Sequence, residues 1–164
     1  MSDQGNYEYF VKATPPYTQE RPSSLWRRSG DDWEFLSLLD WGWHKVKGTI
    51  EHVPTPEALH RVTAERAVEL ETDRQGWVRY WAYYGDEEEW RDGEEPTTVV
   101  RRRRSPERIY DETFMRDNRW QPDSAVFEFF DARASRPPYL VDISADEADR
   151  LLQEIRGVTG ATEL

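Results

Sequence analysis

Short stretches in which polar and apolar residues alternate recur along the chain, and this two-residue period predicts strands. Residues 6–13, NYEYFVKA, alternate in this way. Two apolar runs flank SGDD at residues 29–32, whose glycine and aspartates favour a tight turn. We therefore expect a hairpin with strands near residues 24–28 and 33–39. Residues 77–84, WVRYWAYY, carry large apolar side chains on both faces and predict a central strand.

Helix signals occur in the second half of the chain. Ser105 precedes Pro106, and a hydroxyl residue before a proline is typical of an N-cap followed by the first helical position. A second short helix is expected in the sequence PDSAVFEFFDAR, with Asp123 as its cap and with Phe127 and Phe130 pointing inward.

Two segments resemble each other, residues 62–76 and residues 143–157. Each runs from a β-branched residue into a hydroxyl residue, Thr63 or Ser144, and continues through acids to a terminal glycine. The pattern predicts a strand that leads into a capped helix, and Glu147 completes a capping box with Ser144. Two interpretations are open: an internal duplication, or one local signal used twice.

Strands and helices mix without strict alternation, and a further strand is expected at residues 137–143. This pattern predicts an α+β fold with a mainly antiparallel sheet and about three to four helices packed on one face. A length of 164 residues is typical of one domain. We expect residues 1–164 to form a single domain, with residues 158–164 as a frayed tail.

The composition favours a compact protein in spite of its polarity. Charged residues make up 34%, but aromatic residues reach 13%, and large rings bury much surface per residue. The absence of cysteine excludes disulfides and thiol chemistry. No leader pattern and no apolar run of membrane-spanning length occurs, so we expect a cytoplasmic protein without membrane association. The eight tryptophans leave a homo-oligomer open.

The formal net charge of −11 is concentrated in residues 51–100, which contain thirteen acidic and five basic residues. Such a field repels nucleic-acid backbones and attracts basic proteins. We therefore expect a basic protein partner, and nucleic acid is disfavoured without being excluded.

The most acidic stretch, DEEEWRDGEE at residues 86–95, contains one tryptophan. It lacks the spacing of a calcium-binding loop. Either it is a solvated loop, or it is a recognition loop in which an exposed Trp90 anchors a basic partner. In the second interpretation the partner-binding residues are Asp86, Glu87, Glu88, Glu89, Trp90 and Asp92.

A second candidate for partner binding is the pair Trp41 and Trp43. They lie on one face of an extended segment, Gly42 between them allows close approach of another group, and His44 follows. The alternative is that both tryptophans serve packing, as large aromatic side chains mostly do.

Four consecutive arginines end the sequence TTVVRRRR at residues 97–104, which we expect to form a strand antiparallel to WVRYWAYY. Alternation then divides the arginines between the two faces of the sheet. Arg101 and Arg103, with Tyr80 and Tyr83, are the candidate site for a phosphate or a nucleotide. The alternative is that the arginines stack on rings and pair with nearby carboxylates.

No catalytic or cofactor signature occurs in the sequence. His44, His52 and His60 recur at intervals of eight, which neither a strand nor a helix converts into one face, so we predict no metal site and no cofactor. The leading hypothesis is an acidic protein-binding module, such as an inhibitor, an immunity or antitoxin-type protein, or a regulatory adaptor. The alternatives are a nucleotide- or RNA-binding protein and an enzyme whose site is assembled from dispersed residues.

Overall fold

The structure is a computed structural model that describes residues 6–47, 54–131 and 133–164, with Pro56 described by its backbone alone. His52 lies outside the described residues. Each of two compact units combines a five-stranded antiparallel sheet with α-helices, which confirms the predicted α+β class. That the units form a single domain stays a prediction. The first unit is Met1–Trp77 with Arg104–Ile109, and the second is Val78–Arg103 with Tyr110–Leu164.

The first unit is a sheet with the strand order β4-β3-β2-β1-β5, followed along the chain by one α-helix. Gly30 adopts a φ of 60° in the turn between the second and third strands, a conformation that glycine tolerates, and the predicted hairpin is confirmed. The elements are β1 (Glu8–Lys12), β2 (Ser24–Ser29), β3 (Asp32–Leu36), β4 (Trp43–Lys45), β5 (Leu59–Val62) and α1 (Ala64–Thr72).

One face of this sheet packs against α1 and forms the core of the unit. Val11, Leu25 and Leu36 of the strands are buried together with Ala67 and Leu70 of the helix. The strand residues occupy alternate positions, so the two-residue period of the sequence selects the covered face.

Among the described residues, the second unit repeats this architecture with two additional short α-helices. Its sheet has the order β10-β6-β7-β8-β9, so the strand of WVRYWAYY lies between two neighbours, as predicted. Its elements, two of which have their ends within Arg104–Ile109 of the first unit, are β6 (Val78–Tyr84), α2 (Glu87–Arg91), β7 (Thr98–Ser105), β8 (Arg108–Phe114), β9 (Trp120–Pro122), α3 (Ala125–Phe130), β10 (Tyr139–Ile143) and α4 (Ala145–Arg156).

Both faces of the second sheet are covered. The buried residues of α3 pack against Trp81, while Trp120 contacts Tyr80 on the opposite face. The Nε1 of Trp120 donates to the carbonyl of Ala161 at 2.7 Å, so the last residues, 158–164, which we expected to fray, contact the sheet. The structure agrees only roughly with the expectation that all helices pack on one face of the sheet.

The two units share one topology. In each, four antiparallel strands follow one another, a fifth strand pairs with the first, and a capped helix comes next. Residues 62–76 and 143–157 contain this capped helix in the first and the second unit. The hydroxyl of Thr63 accepts from the backbone N of Arg66, and that of Ser144 accepts from Glu147. The resemblance between the segments therefore belongs to a structural repeat.

Two predicted features of the second half are wrong. The residues after Ser105 do not begin a helix: they turn into β8, and the Ser105 hydroxyl donates to Glu107 instead of capping. Helix α3 exists, but it buries Ala125 and Val126 and leaves Phe127 57% and Phe130 58% exposed, so the two phenylalanines are not buried as expected.

Across the described stretches of the chain, no helix is long and apolar enough to cross a bilayer.

Candidate functional site

A cluster of four side chains lies on the α1 face of the first sheet. Tyr9 and Arg27 are register partners on β1 and β2, and Arg27 pairs with Glu34 of β3. The guanidinium carbon of Arg27 lies 4.4 Å from the ring centroid of Trp43, whose ring is 6.1 Å from that of Tyr9. The arginine is thus held by a carboxylate and an aromatic face at once.

A cluster of the same four residue types recurs in the second sheet. Tyr80 and Arg101 are register partners, and the Nε of Arg101 donates to Glu112 at 3.0 Å. The guanidinium carbon of Arg101 lies 4.2 Å from the ring centroid of Trp120, which is 6.2 Å from the ring of Tyr80. Matching positions and distances extend the structural repeat from topology to individual side chains.

The arginine run is divided between the two faces of the sheet, as alternation predicts. Arg101 and Arg103 both donate to Glu112, at 3.0 Å and 3.1 Å. Arg102, on the other face, donates twice to Asp111, at 2.7 Å and 2.9 Å. A phosphate at these guanidinium groups would have to displace carboxylates that already hold them.

The two tyrosines proposed alongside the arginines do not come together. Tyr80 is 2% exposed within the sheet, and Tyr83 faces the other side, three positions along the same strand. Burial raises the pKa of Tyr83, and the charges of Asp123, Glu128 and Glu89 raise it further. Its hydroxyl therefore lies in a region of negative potential, which suits a cation better than a phosphate.

Trp41 and Trp43 pack against the core of the first unit. Arg74 lies 5.3 Å from the ring centroid of Trp41, and Trp43 is covered by Arg27. The arrangement is that of packing residues, the second of the two interpretations of this pair.

The acidic stretch connects β6 and β7 and folds into helix α2 where we expected a loop. Asp86 is its N-cap and accepts from the backbone N of Glu89 at 2.9 Å, and the Glu89 carboxylate accepts from Gly85 at 2.8 Å. Asp92 ends the helix, with its N–H donating to the carbonyl of Glu88. These contacts agree with the preference for acids in the first helical turn.

Trp90 stands on α2 with 41% of its surface exposed. It stacks on Tyr139 with the ring centroids 4.9 Å apart, and Tyr139 contacts Phe129 at 5.9 Å. Phe129 contacts Phe130 at 5.0 Å, and Phe130 contacts the buried Trp81 at 6.2 Å. A continuous series of rings thus runs from the core of the unit through exposed Phe130 to exposed Trp90.

Exposed carboxylates lie on the same two helices as three of these rings. Glu87 and Glu88 are exposed on α2, and Glu128 is exposed on α3 between the phenylalanines. Arg91 is the basic residue of α2, and it is paired with Glu87 at 2.7 Å. We call the following residues the acidic–aromatic surface: Glu87, Glu88, Glu89, Trp90, Phe127, Glu128, Phe129, Phe130 and Tyr139.

Sequence reasoning placed Trp90 and its acids at a surface but missed their aromatic neighbours. Phe129, Phe130 and Tyr139 lie about forty to fifty residues further along the chain, and only the pairing of β10 with β6 brings them near α2. An apolar side chain at nearly every position of AVFEFF was the available signal, because such a short helix cannot bury all of them.

Within the residues that the structure describes, no group of three or more His, Cys, Asp or Glu side chains converges as a metal site. Comparison with protein-family models, curated proteins and solved structures gives no match for this chain. The assignment of a function therefore rests on the geometry of the molecule itself.

Proposed function

We propose that this protein binds a basic protein partner through its acidic–aromatic surface. The observation that carries the proposal is the series of packed rings that includes exposed Phe130 and ends in exposed Trp90, within the most acidic part of the molecule. An inhibitor, an immunity or antitoxin-type protein, or a regulatory adaptor would act in this way, since each functions by occupying another protein.

The chemistry of the surface matches arginine and lysine side chains. An arginine of the partner gains from stacking on Trp90 or Phe130 and from pairing with Glu87 or Glu88 at the same time. Aromatic residues at the centre of an interface typically supply most of its binding free energy, and a polar rim excludes water around them.

The exposure of these rings also supports the proposal. Phe127, Phe130 and Trp90 expose between 41% and 58% of their surfaces to water, although each is large and apolar. Clustered exposed apolar groups rimmed by polar residues are characteristic of interaction sites. Trp90 and Phe130 are held by ring contacts, so little side-chain entropy remains to be lost on binding.

The charge distribution predicts how the complex forms. A negative field accelerates the encounter with a positive partner, and salt screens it over about 8 Å at physiological ionic strength. The association rate should therefore fall as salt is added, while the dissociation rate depends mainly on the aromatic contacts.

The test compares the wild type with two triple variants. The surface variant carries Glu87→Gln, Glu88→Gln and Trp90→Ala. The control carries Glu65→Gln, Val68→Ala and Glu69→Gln in α1, which also removes one exposed apolar side chain and two exposed acids. Each protein is used to capture partners from host lysate, which are identified by mass spectrometry.

We expect a basic partner that the wild type and the control capture equally and that the surface variant captures at least tenfold less. With the purified partner, calorimetry should show affinity that weakens as salt rises. Equal capture by all three proteins, at unchanged melting temperatures, would refute the proposal. Phe127→Ala provides a second variant, since its exposed ring can be removed without disturbing the core.

A further inference from the structure

The face of the first sheet opposite α1 carries two rings around an arginine. Arg28 is the register partner of Glu8 on β1 and of Trp33 on β3, and Phe10 follows Glu8 by two positions, so these side chains project to one side. The guanidinium carbon of Arg28 lies 5.4 Å from the ring centroid of Phe10 and 5.2 Å from that of Trp33. The two rings are 5.3 Å apart, and both are half-buried. Each ring therefore keeps part of its surface in contact with solvent.

This face is positively charged, although the whole chain is acidic. Arg61 of β5 is the register partner of Phe10, and 68% of its side chain is exposed. Lys12 and Arg28 add two further cations, whereas Glu8 is the one carboxylate among the described strand residues of this face. We call the following residues the cationic–aromatic surface: Glu8, Phe10, Lys12, Arg28, Trp33 and Arg61.

The second unit shows that a ring of the acidic–aromatic surface fits such a group of side chains. Trp81 and Arg102 hold the register positions that match Phe10 and Arg28. The ring of Phe130 lies 6.2 Å from that of Trp81 and 5.9 Å from the guanidinium carbon of Arg102. In the first unit Trp33 makes the matching contacts from within the sheet. The same combination of arginine and rings thus occurs in a half-buried position that another molecule can reach.

The acidic–aromatic surface has the complementary composition. It combines four glutamates with the exposed rings of Trp90 and Phe130. The guanidinium group of Arg61 is exposed enough to pair with such a carboxylate, and rings on the two sides can bury apolar surface against each other. Complementary charge also determines which surfaces meet, because two like surfaces repel each other.

We propose that the cationic–aromatic surface binds the acidic–aromatic surface of a second copy of this chain. The contact joins two unlike surfaces and is therefore heterologous, so each copy keeps one unoccupied surface of each kind and further copies add head to tail. The inference rests on the proposed function, because it assigns a basic protein face to the same acidic–aromatic surface. A second copy and another basic partner would compete for that surface.

The net charge of −11 does not prevent this contact. Repulsion between the chains as a whole acts over long distances, and at physiological ionic strength salt screens charges beyond about 8 Å. The charges that face each other directly are screened much less, and here they have opposite signs. The rings add apolar burial, which salt does not weaken.

The test is sedimentation equilibrium of the purified full chain at physiological ionic strength, up to millimolar concentration. The average mass of the wild type should rise with concentration beyond that of a dimer. Arg61→Glu should weaken association at least tenfold, because it reverses the most exposed cation of the surface. Arg150→Glu is the matched control: Arg150 is 63% exposed and lies 3.7 Å from Glu154, much as Arg61 lies 3.4 Å from Glu8. This control should associate like the wild type.

A mixture of two variants tests whether unlike surfaces pair. The surface variant with Glu87→Gln, Glu88→Gln and Trp90→Ala should also associate at least tenfold more weakly than the wild type. The Arg61→Glu chain keeps its acidic–aromatic surface, and the surface variant keeps its cationic–aromatic surface. An equimolar mixture should therefore associate as tightly as the wild type but stop at a dimer, because only one intact pair of surfaces is present.

Three results would overturn the proposal: a wild type that stays monomeric up to millimolar concentration, an equal loss in Arg150→Glu and Arg61→Glu, or a mixture that does not associate. Melting temperatures verify folding, and the milder Arg61→Gln replaces Arg61→Glu if the latter is destabilised. A monomeric wild type that still captures a basic partner would refute self-association alone. A chain that self-associates as described but captures no other protein would support this inference and leave only the proposed function refuted.

Discussion

The two units use one topology to make two different outer faces. In the first, a row of rings on adjacent strands runs from Phe10 to His44 and ends in a pocket with charged groups at its margin. In the second, the register positions that match Phe10 and Trp26 are Trp81 and Val100, and α3 covers them. Helix α3, which precedes the fifth strand of the second unit, therefore accounts for the closed core on this face of the second sheet.

The helix that closes the second face also creates the exposed rings. Ala125 and Val126 fill the space above the sheet, Phe127 is left 57% exposed, and Phe130 is 58% exposed although its ring contacts Trp81. The other face of each sheet, which carries Tyr9 in the first unit and Tyr80 in the second, does not differ in this way. Both units have a tyrosine, an arginine, a glutamate and a tryptophan there in matching contacts. The repeat thus keeps one face as scaffold and varies the other.

The largest effect should come from removing the tryptophans of the repeated cluster. Trp43→Ala and Trp120→Ala should each lower the free energy of unfolding by about 3 to 5 kcal/mol, since a large packed ring is lost. Trp43→Phe and Trp120→Phe sharpen the comparison. Trp120 donates a hydrogen bond from Nε1 to the carbonyl of Ala161, which Trp120→Phe removes. Trp120→Phe should therefore lower the free energy of unfolding by about 1 kcal/mol more than Trp43→Phe does. Urea unfolding measures both pairs, and an equal loss in the two phenylalanine variants would contradict this role of Ala161.

A smaller effect distinguishes the two sides of α3. Val126 is 1% exposed and Phe127 is 57% exposed. Val126→Ala should therefore lower the free energy of unfolding by about 2 kcal/mol, whereas Phe127→Ala should change it by less than about 0.5 kcal/mol. Thermal or urea unfolding of the two variants checks the difference. A larger loss for Phe127→Ala would restore the inward orientation that the sequence suggested.

Features that depend on a few neighbouring residues could be predicted from the sequence. The turn at Gly30 and the caps at Thr63 and Ser144 are local, since their chemistry is complete within about four positions. The division of Arg101 and Arg102 between two faces followed from alternation alone.

Features that depend on tertiary pairing could not be predicted. Helix α3 reads AVFEFF, in which apolar residues face all directions, so its pattern does not say which side is buried. The matching clusters were hidden by unequal loops, because Tyr9 precedes Arg27 by 18 residues and Tyr80 precedes Arg101 by 21. In the acidic–aromatic surface, Trp90 was found from its acidic neighbours, whereas Tyr139 reaches it only through strand pairing.

The smallest effect concerns an ion pair of the first unit that has no counterpart in the second. Glu8 and Arg28 are register partners, and the Glu8 carboxylate accepts from the Nε of Arg28 at 3.1 Å. At the matching positions of the second unit two arginines, Arg79 and Arg102, face each other. The hydrogen bond from Arg28, with the charges of Arg28 and Arg61, lowers the pKa of Glu8.

Because the pKa of Glu8 is lower in the folded protein, its contribution to stability is present above the ordinary glutamate pKa and is lost as the pH falls through the lowered value. Glu8→Gln should thus reduce the melting temperature slightly at neutral pH, and the difference should vanish in acid. Glu94→Gln removes the same charge at an exposed position and serves as the control. A Glu8→Gln deficit that persists undiminished in acid would assign the effect to packing of the side chain. A deficit that disappears as the Glu8 carboxylate is protonated would show that this cross-strand pair, which is specific to the first unit, stabilises the protein through charge.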